Sequence, residues 1–314
     1  MVAPFISIVV TTYNRAGILA KAIAALLEQD TTYDYEILVV DDGSQDETPR
    51  LLQQLCGRHP RLRVHAQPNQ GRARARNAGI REARGEILCY VDSDVVVVPT
   101  FVQAHGDGHV RNSHQEVFVQ GLSVNVSDFE HLTKAKVPPI DPSRAFFDTK
   151  NVSIRRSILQ ELGGFDTGFV EYGWEDLELG VRLKSRGVRI VRSREALGYH
   201  YHPAFTVADL PKLRQIEEER GRMAARFLAM HPTWDVRLMT QDTWLHEVLN
   251  FLLTWGGLLN ERSMRPFLEA LERAGRHAAA AAWAQILLNQ YNLRELRRSL
   301  QGLRQTTGAR RYNP

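Results

Sequence analysis

The segment Asp92-Ser93-Asp94 closes the apolar run Ile87-Leu88-Cys89-Tyr90-Val91 with two carboxylates one residue apart. Side chains alternate faces along an extended chain, so Asp92 and Asp94 point one way and Ser93 the other. Two hard oxygen ligands on one side of a strand end suit a divalent cation that keeps some water and engages phosphate oxygens, as Mg²⁺ or Mn²⁺ does. A solvated strand-to-loop turn is the plainer alternative, since Asp and Ser are common turn residues. Asp41-Asp42 ends another apolar run and precedes Gly43-Ser44, either as a ligand-facing pair or as the cap of a tight turn. A third acidic pair, Glu175-Asp176, follows Trp174 and opens a stretch whose Leu179 and Leu183 lie four apart. Acids in a first helical turn suit the helix dipole, and a carboxylate there could take a proton from an attacking hydroxyl.

These pairs need elements to bring them together. Phe5 to Val10 is β-branched and apolar, as a strand covered on both faces would be. Thr11 to Arg15 breaks that pattern, and Ala16 to Glu28 resumes it at helical spacing. A strand at Glu36 to Val40, a helix at Thr48 to Cys56, a strand at Arg61 to Ala66 and a helix at Arg74 to Ala83 lead to the run before Asp92. The alternation predicts an α/β, doubly wound, mostly parallel sheet. Ligands in such sheets lie outside the carboxyl ends of the strands, so the loops holding Thr11 to Asn14, Asp41 to Ser44 and Asp92 to Asp94 are expected to converge. Val117 to Val124 is a further strand, and the stretch through Pro138, Pro139 and Pro142 is a mobile lid or an ordinary surface connection. From Asp209 onward periodic Leu, Ala and Arg residues predict helices, with Asp209 and Ser263 as N-caps. The expected division is residues 1–205 and a helical region, 206–314.

The 314 residues are 43% hydrophobic and 24% charged, which is globular composition. A net charge of +4 is too mild to argue nucleic acid. Cys56 and Cys89 form no CxxC or metal-like spacing, which favours a reduced, cytoplasmic compartment. No signal peptide is read at the start, and Val248 to Leu259 is too short to span a bilayer. A soluble protein, or one attached peripherally at the inner face of a membrane, is expected.

The chain resembles the family 2 glycosyltransferases of the GT-A fold. The matching pieces are Ile6 to Arg15, Val39-Val40-Asp41-Asp42-Gly43-Ser44, Asn69-Gln70-Gly71 with Ala75-Arg76-Asn77-Ala78-Gly79, Gly85-Glu86 leading to Asp92-Ser93-Asp94, and Gly163-Gly164-Phe165-Asp166 with Gly173-Trp174-Glu175-Asp176. They stand in the family's order over residues 5 to 203, and the later part is similar to the galactosyltransferase Trp-Glu-Asp region. The resemblance implies nucleotide-sugar contacts from Thr11, Tyr13, Arg15, Asp41, Asp42, Arg76, Asp92 and Ser93, with Asn151 and Ser153 lining the donor-sugar or acceptor pocket. It implies Mn²⁺ or Mg²⁺ on Asp94 and Asp92, with His200, or else His202, as third ligand. Asp176, with Glu175 as runner-up, would be the base, and Trp174 a platform for a sugar face unless it is a core residue. Of Arg72, Arg74, Arg76 and Arg81, most are expected on a solvated helix face. One departure is Val95, where family members often carry another acid.

The reading implied is an inverting, metal-dependent glycosyltransferase of hexosyltransferase type. It would move sugar from a nucleotide-diphosphate donor, UDP-linked, to a hydroxyl acceptor in polysaccharide or glycoconjugate synthesis. A catalytically inactive GT-A scaffold would need none of Asp92, Asp94, Glu175 and Asp176. A nucleotidyltransferase would present a Gly-rich basic loop after the first strand, and Thr11-Thr12-Tyr13-Asn14 is not one. Trp234, Trp244, Trp255 and Trp283 are expected in a small helical core, with membrane or dimer contact as alternatives. The closing arginines, including Arg297, Arg298, Arg310 and Arg311, are read as a frayed solvated end, with contact to anionic lipid or a polyanionic acceptor as the alternative.

Overall fold

The computed structural model describes residues 3–130, 132 and 146–307. The expected lid with Pro138, Pro139 and Pro142, and Arg310 and Arg311 at the end, lie outside the described residues. The described residues fall into two compact units, Met1–Val170 with Glu175–Pro203, and Glu171–Trp174 with Ala204–Pro314.

The first unit is built on one sheet: β1 (Ile6–Thr12), β2 (Tyr35–Asp41), β3 (Leu62–Ala66), β4 (Ile87–Val91), β5 (Val95–Val97), β6 (Val117–Val126), β7 (Asn151–Arg155) and β8 (Arg189–Tyr201), in the order β3-β2-β1-β4-β7-β6-β8-β5. Its helices are α1 (Ala16–Leu27), α2 (Thr48–Cys56), α3 (Arg72–Glu82), α4 (Phe101–Arg111), α5 (Arg156–Glu161) and α6 (Glu175–Arg186). β1 pairs in parallel with β2 and β4, and β2 with β3, as the strand-helix alternation predicts. β6 and β8 are also parallel, whereas β4 with β7, β6 with β7 and β5 with β8 are antiparallel. The sheet is therefore mixed. Local periodicity does not encode which distant strand a given strand will choose as neighbour.

Alternate strand positions feed two cores. Ile6, Ile8, Val10, Ile37 and Val39 pack with Leu19, Ile23 and Leu26 of α1. Val9, Leu38, Leu88 and Tyr90 pack with Ala75 and Ala78 of α3 and with Leu179 and Leu183 of α6. Burial on both faces is why β1, β2 and β4 read as continuous apolar runs. One buried carboxylate interrupts them: Glu36 accepts hydrogen bonds from the Ser7 hydroxyl (2.7 Å), the Arg84 amide (2.8 Å) and Arg63 (2.8 Å).

The second unit contains α7 (Leu210–Met230), α8 (Trp234–Met239), α9 (Trp244–Leu253), α10 (Glu261–Arg273) and α11 (His277–Thr307). Met264, Leu268, Leu271, Ala280, Ala284 and Leu287 form its core where α10 meets α11. Asp209 stands at the start of α7 but its side chain does not cap that helix: Asp209 Oδ2 accepts from the Thr206 amide (3.0 Å) and hydroxyl (2.8 Å). Asn260 rather than Ser263 caps α10, with Ser263 closing the box from the third helical position. The expected tryptophan core is not found: Trp234, Trp244, Trp255 and Trp283 are all exposed. Among the described residues no helix is long and apolar enough to cross a membrane.

Candidate active site

After β4 the chain turns tightly, the Val95 amide donating to the Asp92 carbonyl at 3.1 Å, and enters β5. β5 pairs antiparallel with β8 in a register that sets Val95 opposite His200, and the Tyr201 amide donates to the Asp94 carbonyl at 2.9 Å. The pairing brings His200 Nε2 to 3.5 Å from Asp94 Oδ1. Asp92, Asp94 and His200 each offer a ligand atom, all within 4.8 Å of one another. His200 Nδ1 lies 3.0 Å from Asn125 Oδ1. Donation to that oxygen leaves the Nε2 lone pair facing the carboxylates. Burial pushes the His200 pKa down against the pull of the Asp94 and Asp92 charges, which favours the neutral, ligating form. His202 is not in the group among the described residues. Val95, the departure noted above, is fully buried in β5.

Two carboxylates and an imidazole make a hard oxygen and nitrogen donor set that fits Mn²⁺ or Mg²⁺. Burial, and after it the Asp94 charge, raise the pKa of Asp92, while the Arg76 charge opposes them. The Arg15 guanidinium donates to Asp94 Oδ2 from the loop after β1.

That loop is tied to the one after β2. The Asn14 amide donates to Ser44 Oγ (2.9 Å), and Asn14 Oδ1 accepts from the Gln45 amide (2.7 Å). Asp41 Oδ1 accepts from the Ser44 amide (3.0 Å) across Gly43, whose φ is +79°. A Cβ at Gly43 would stand 2.6 Å from the Asn69 nitrogen, so the turn admits only glycine without a shift. Both oxygens of Asp42 are engaged in the fold, accepting from Gln67 Nε2 (2.7 Å), the Gln70 amide (2.9 Å) and the Gly71 amide (2.8 Å). Asp42 thus anchors the loop that leads into α3. Thr11 is half-buried and Tyr13 is 44% exposed. Thr12, which the sequence did not single out, has a buried hydroxyl with no partner among the described residues.

Arg76 is buried on α3, whereas Arg72, Arg74 and Arg81 are exposed. Its Nη1 lies 2.5 Å from Glu175 Oε1 and its Nη2 4.0 Å from Asp92 Oδ1. Burial disfavours the guanidinium charge, but the carboxylates of Glu175, Asp92 and Asp176 outweigh that and raise its pKa. One buried cation therefore joins the Asp92-Asp94 corner to the first turn of α6. Glu175 Oε2 is buried without a partner among the described residues. Burial, and then the Glu175 charge, push the Asp176 pKa up to about 7. The ion pair Lys150 to Asp148 (3.1 Å) also acts on this centre, Asp148 raising the pKa of both Asp92 and Asp176. Neither residue belongs to a motif, so sequence reasoning passed over them.

Asn151 and Ser153 are placed differently from the pocket lining expected of them. Both are fully buried in β7. The Asn151 amide donates to the Leu122 and Ala196 carbonyls (3.1 and 2.8 Å), and its oxygen lies 2.9 Å from His105 Nε2. Ser153 Oγ joins His105 Nδ1 and His109 Nε2. Trp174 belongs to the second unit and is buried there. Its Nε1 donates to the Arg220 carbonyl (2.8 Å), and its ring lies 5.8 Å from that of Phe227. These contacts hold a φ of +77°, a strained value for a bulky residue.

A family model described as glycosyl transferase family 2 matches residues 7–163, and one described as the N-terminal domain of galactosyltransferase matches residues 131–204. The validoxylamine A glucosyltransferase of Streptomyces hygroscopicus is 32% identical, over 62% of this chain and 55% of that protein. The chain thus spans about half the length of the relatives it matches. Among solved structures, the mannosyltransferase PcManGT of Pyrobaculum calidifontis, in complex with GDP-Man and Mn²⁺, superposes with a TM-score of 0.59 at 19% identity, covering 96% of this chain and 88% of that one. TarS 1–349 of S. aureus in complex with UDP gives 0.52 at 18% identity, covering 98% and 93%. These likenesses show the GT-A fold.

Proposed function

Because the chain belongs to glycosyl transferase family 2, we propose that it transfers a sugar from a nucleoside-diphosphate donor, a UDP-sugar, to a hydroxyl acceptor with inversion at the anomeric carbon. The observation that carries this reading is the grouping of Asp92, Asp94 and His200 within 4.8 Å, linked through Arg76 to Glu175-Asp176. A divalent cation on the first three would offset the charge that develops on the departing diphosphate. Arg15 and Arg76 supply further positive charge beside that corner, and guanidinium suits phosphate oxygens in pairs.

Asp176 takes the acceptor hydroxyl's proton as the oxygen attacks. A carboxyl with a pKa of about 7 is matched to proton transfer near neutral pH. Glu175, already paired with Arg76, orients the acceptor or the base. A base that works on the face opposite the leaving diphosphate gives a single displacement, hence inversion. Thr11, Tyr13 and Asp41 are assigned to the nucleoside, where the exposed Tyr13 ring offers a surface to the base. Polysaccharide or glycoconjugate synthesis is the setting such a reaction implies.

The test is nucleotide release from a panel of UDP-sugars, with GDP-mannose as contrast, in the presence of Mn²⁺. Release from at least one donor, abolished by Asp94→Ala in a variant that keeps its circular dichroism, supports the reading. Release unchanged by Asp94→Ala, or absent from every donor, overturns it.

A further inference from the structure

α9 is inside out. No residue of this ten-residue helix is buried, and its apolar side chains are 44% to 71% exposed. At 100° per residue, Trp244, Leu245, Val248, Leu249, Phe251 and Leu252 lie within an arc of roughly 200° that Leu253 completes. The polar residues His246, Glu247 and Asn250 fill the remaining edge. On that edge His246 and Asn250 are half-buried, while Glu247 is exposed. Glu247 Oε1 lies 3.1 Å from Arg297 Nη2 of α11, and Glu247, Val248, Asn250 and Phe251 line a cleft with Gln290, Arg294 and Arg297, so that Leu245, Leu249, Leu252 and Leu253 carry the outer face. A surface helix of a globular domain normally does the reverse. The apolar surface continues past the helix through Trp255 and Leu258, each 71% exposed.

We propose that this outer face docks on a lipid bilayer bearing anionic headgroups. An arc this wide exceeds the i, i+3, i+4 stripe that a partner helix would cover, and suits a medium that is apolar all along one side. Trp244 and Trp255 mark the two ends of the segment, and indole rings favour the headgroup level. Ten residues span about 15 Å, half a hydrocarbon core, so the helix lies on the bilayer and does not cross it. Charge complements the fit: Glu247, the one acid between Trp244 and Leu258, is already paired with Arg297, and Arg294 lines the same cleft beside the helix, while Arg298 of α11 pairs with Glu295 at 3.5 Å. Basic residues beside an apolar face strengthen adsorption to anionic lipid.

The experiment is flotation of the full-length chain with vesicles of phosphatidylcholine containing about a third phosphatidylglycerol, against phosphatidylcholine alone. The triple variant Leu245→Ser/Leu249→Ser/Leu252→Ser replaces exposed side chains only, and its circular dichroism and melting curve verify the fold. The wild type floats with the anionic vesicles, and the variant's partitioning falls about tenfold or more. In the wild type, tryptophan emission shifts to the blue on binding, and Asp94→Ala changes none of this, so the result is independent of the donor site. No flotation, equal flotation of the triple variant, or equal binding to uncharged vesicles overturns the proposal. A concentration-dependent dimer that the same substitutions split, with no vesicle binding, assigns the face to a second copy and overturns it as well.

Discussion

His200 Nε2 stands 3.5 Å from Asp94 Oδ1 although the two residues are over a hundred positions apart, because β8 returns antiparallel to β5 with His200 opposite Val95. The strand that follows the two aspartates is thus also the strand that brings in the imidazole. Asn125, at 3.0 Å from His200 Nδ1, completes the arrangement from β6.

Asn125→Ala is expected to weaken Mn²⁺ affinity by about 10- to 100-fold, the usual effect of removing the partner that orients a ligating histidine. Isothermal titration with Mn²⁺ alone measures it. Asn125→Asp, which retains an acceptor, is expected to bind Mn²⁺ more tightly than the alanine variant.

Asp176→Asn is expected to lower kcat by about 10² to 10⁴-fold with little change in KM. The base must be ionised to act, so wild-type kcat/KM rises with pH through about 7, the pKa to which burial and Glu175 raise this carboxyl. The same shift works against stability. A carboxyl with an ordinary pKa of 3.8 and a folded value near 7 favours the fold below 3.8 and loses that contribution as pH rises to about 7. Stability profiles of Asp176→Asn are expected to lack this decline.

Arg76 and Glu175 form a buried pair at 2.5 Å. Removing either partner leaves an uncompensated charge, so Arg76→Met or Glu175→Leu is expected to cost about 3–5 kcal/mol in urea unfolding. The double variant is expected to lose less than the sum, since neither member of the pair is then left without the other.

The parallel half of the sheet, the solvated helix face holding Arg72, Arg74 and Arg81, and the acidic corner were legible in the sequence because each depends on local alternation. Buried Arg76 was legible only through a motif, since helical spacing alone does not tell a paired interior guanidinium from its exposed neighbours. The antiparallel strands, the choice of Asn125, and Asp148 with Lys150 were not legible, because they follow from long-range register. Asn151 shows the same limit: the family resemblance implied that it lines a pocket, while only the fold reveals that it bonds backbone carbonyls and His105. Trp234, Trp244, Trp255 and Trp283 misled because hydrophobicity was taken to mean burial, whereas all four are exposed.

His105 and His109 predict acid sensitivity. Burial pushes His105 down to about 4 and His109 down to about 3, from an ordinary 6.5. Below 6.5 the unfolded chain takes up protons that the fold refuses. The contribution of these two histidines to stability is therefore expected to be full above pH 6.5, to fall as pH drops toward 3, and to level off below that, opposite in sign to that of Asp176. Denaturant midpoints measured across this range check it, and His109→Asn is expected to flatten the slope.

The most direct test of the central claim is calorimetric titration of UDP into wild type and Asp94→Asn, each with and without Mn²⁺. The wild type is expected to bind UDP only when Mn²⁺ is present, and Asp94→Asn is expected to lose that binding. Binding of equal strength without the metal, or undiminished in Asp94→Asn, would contradict it.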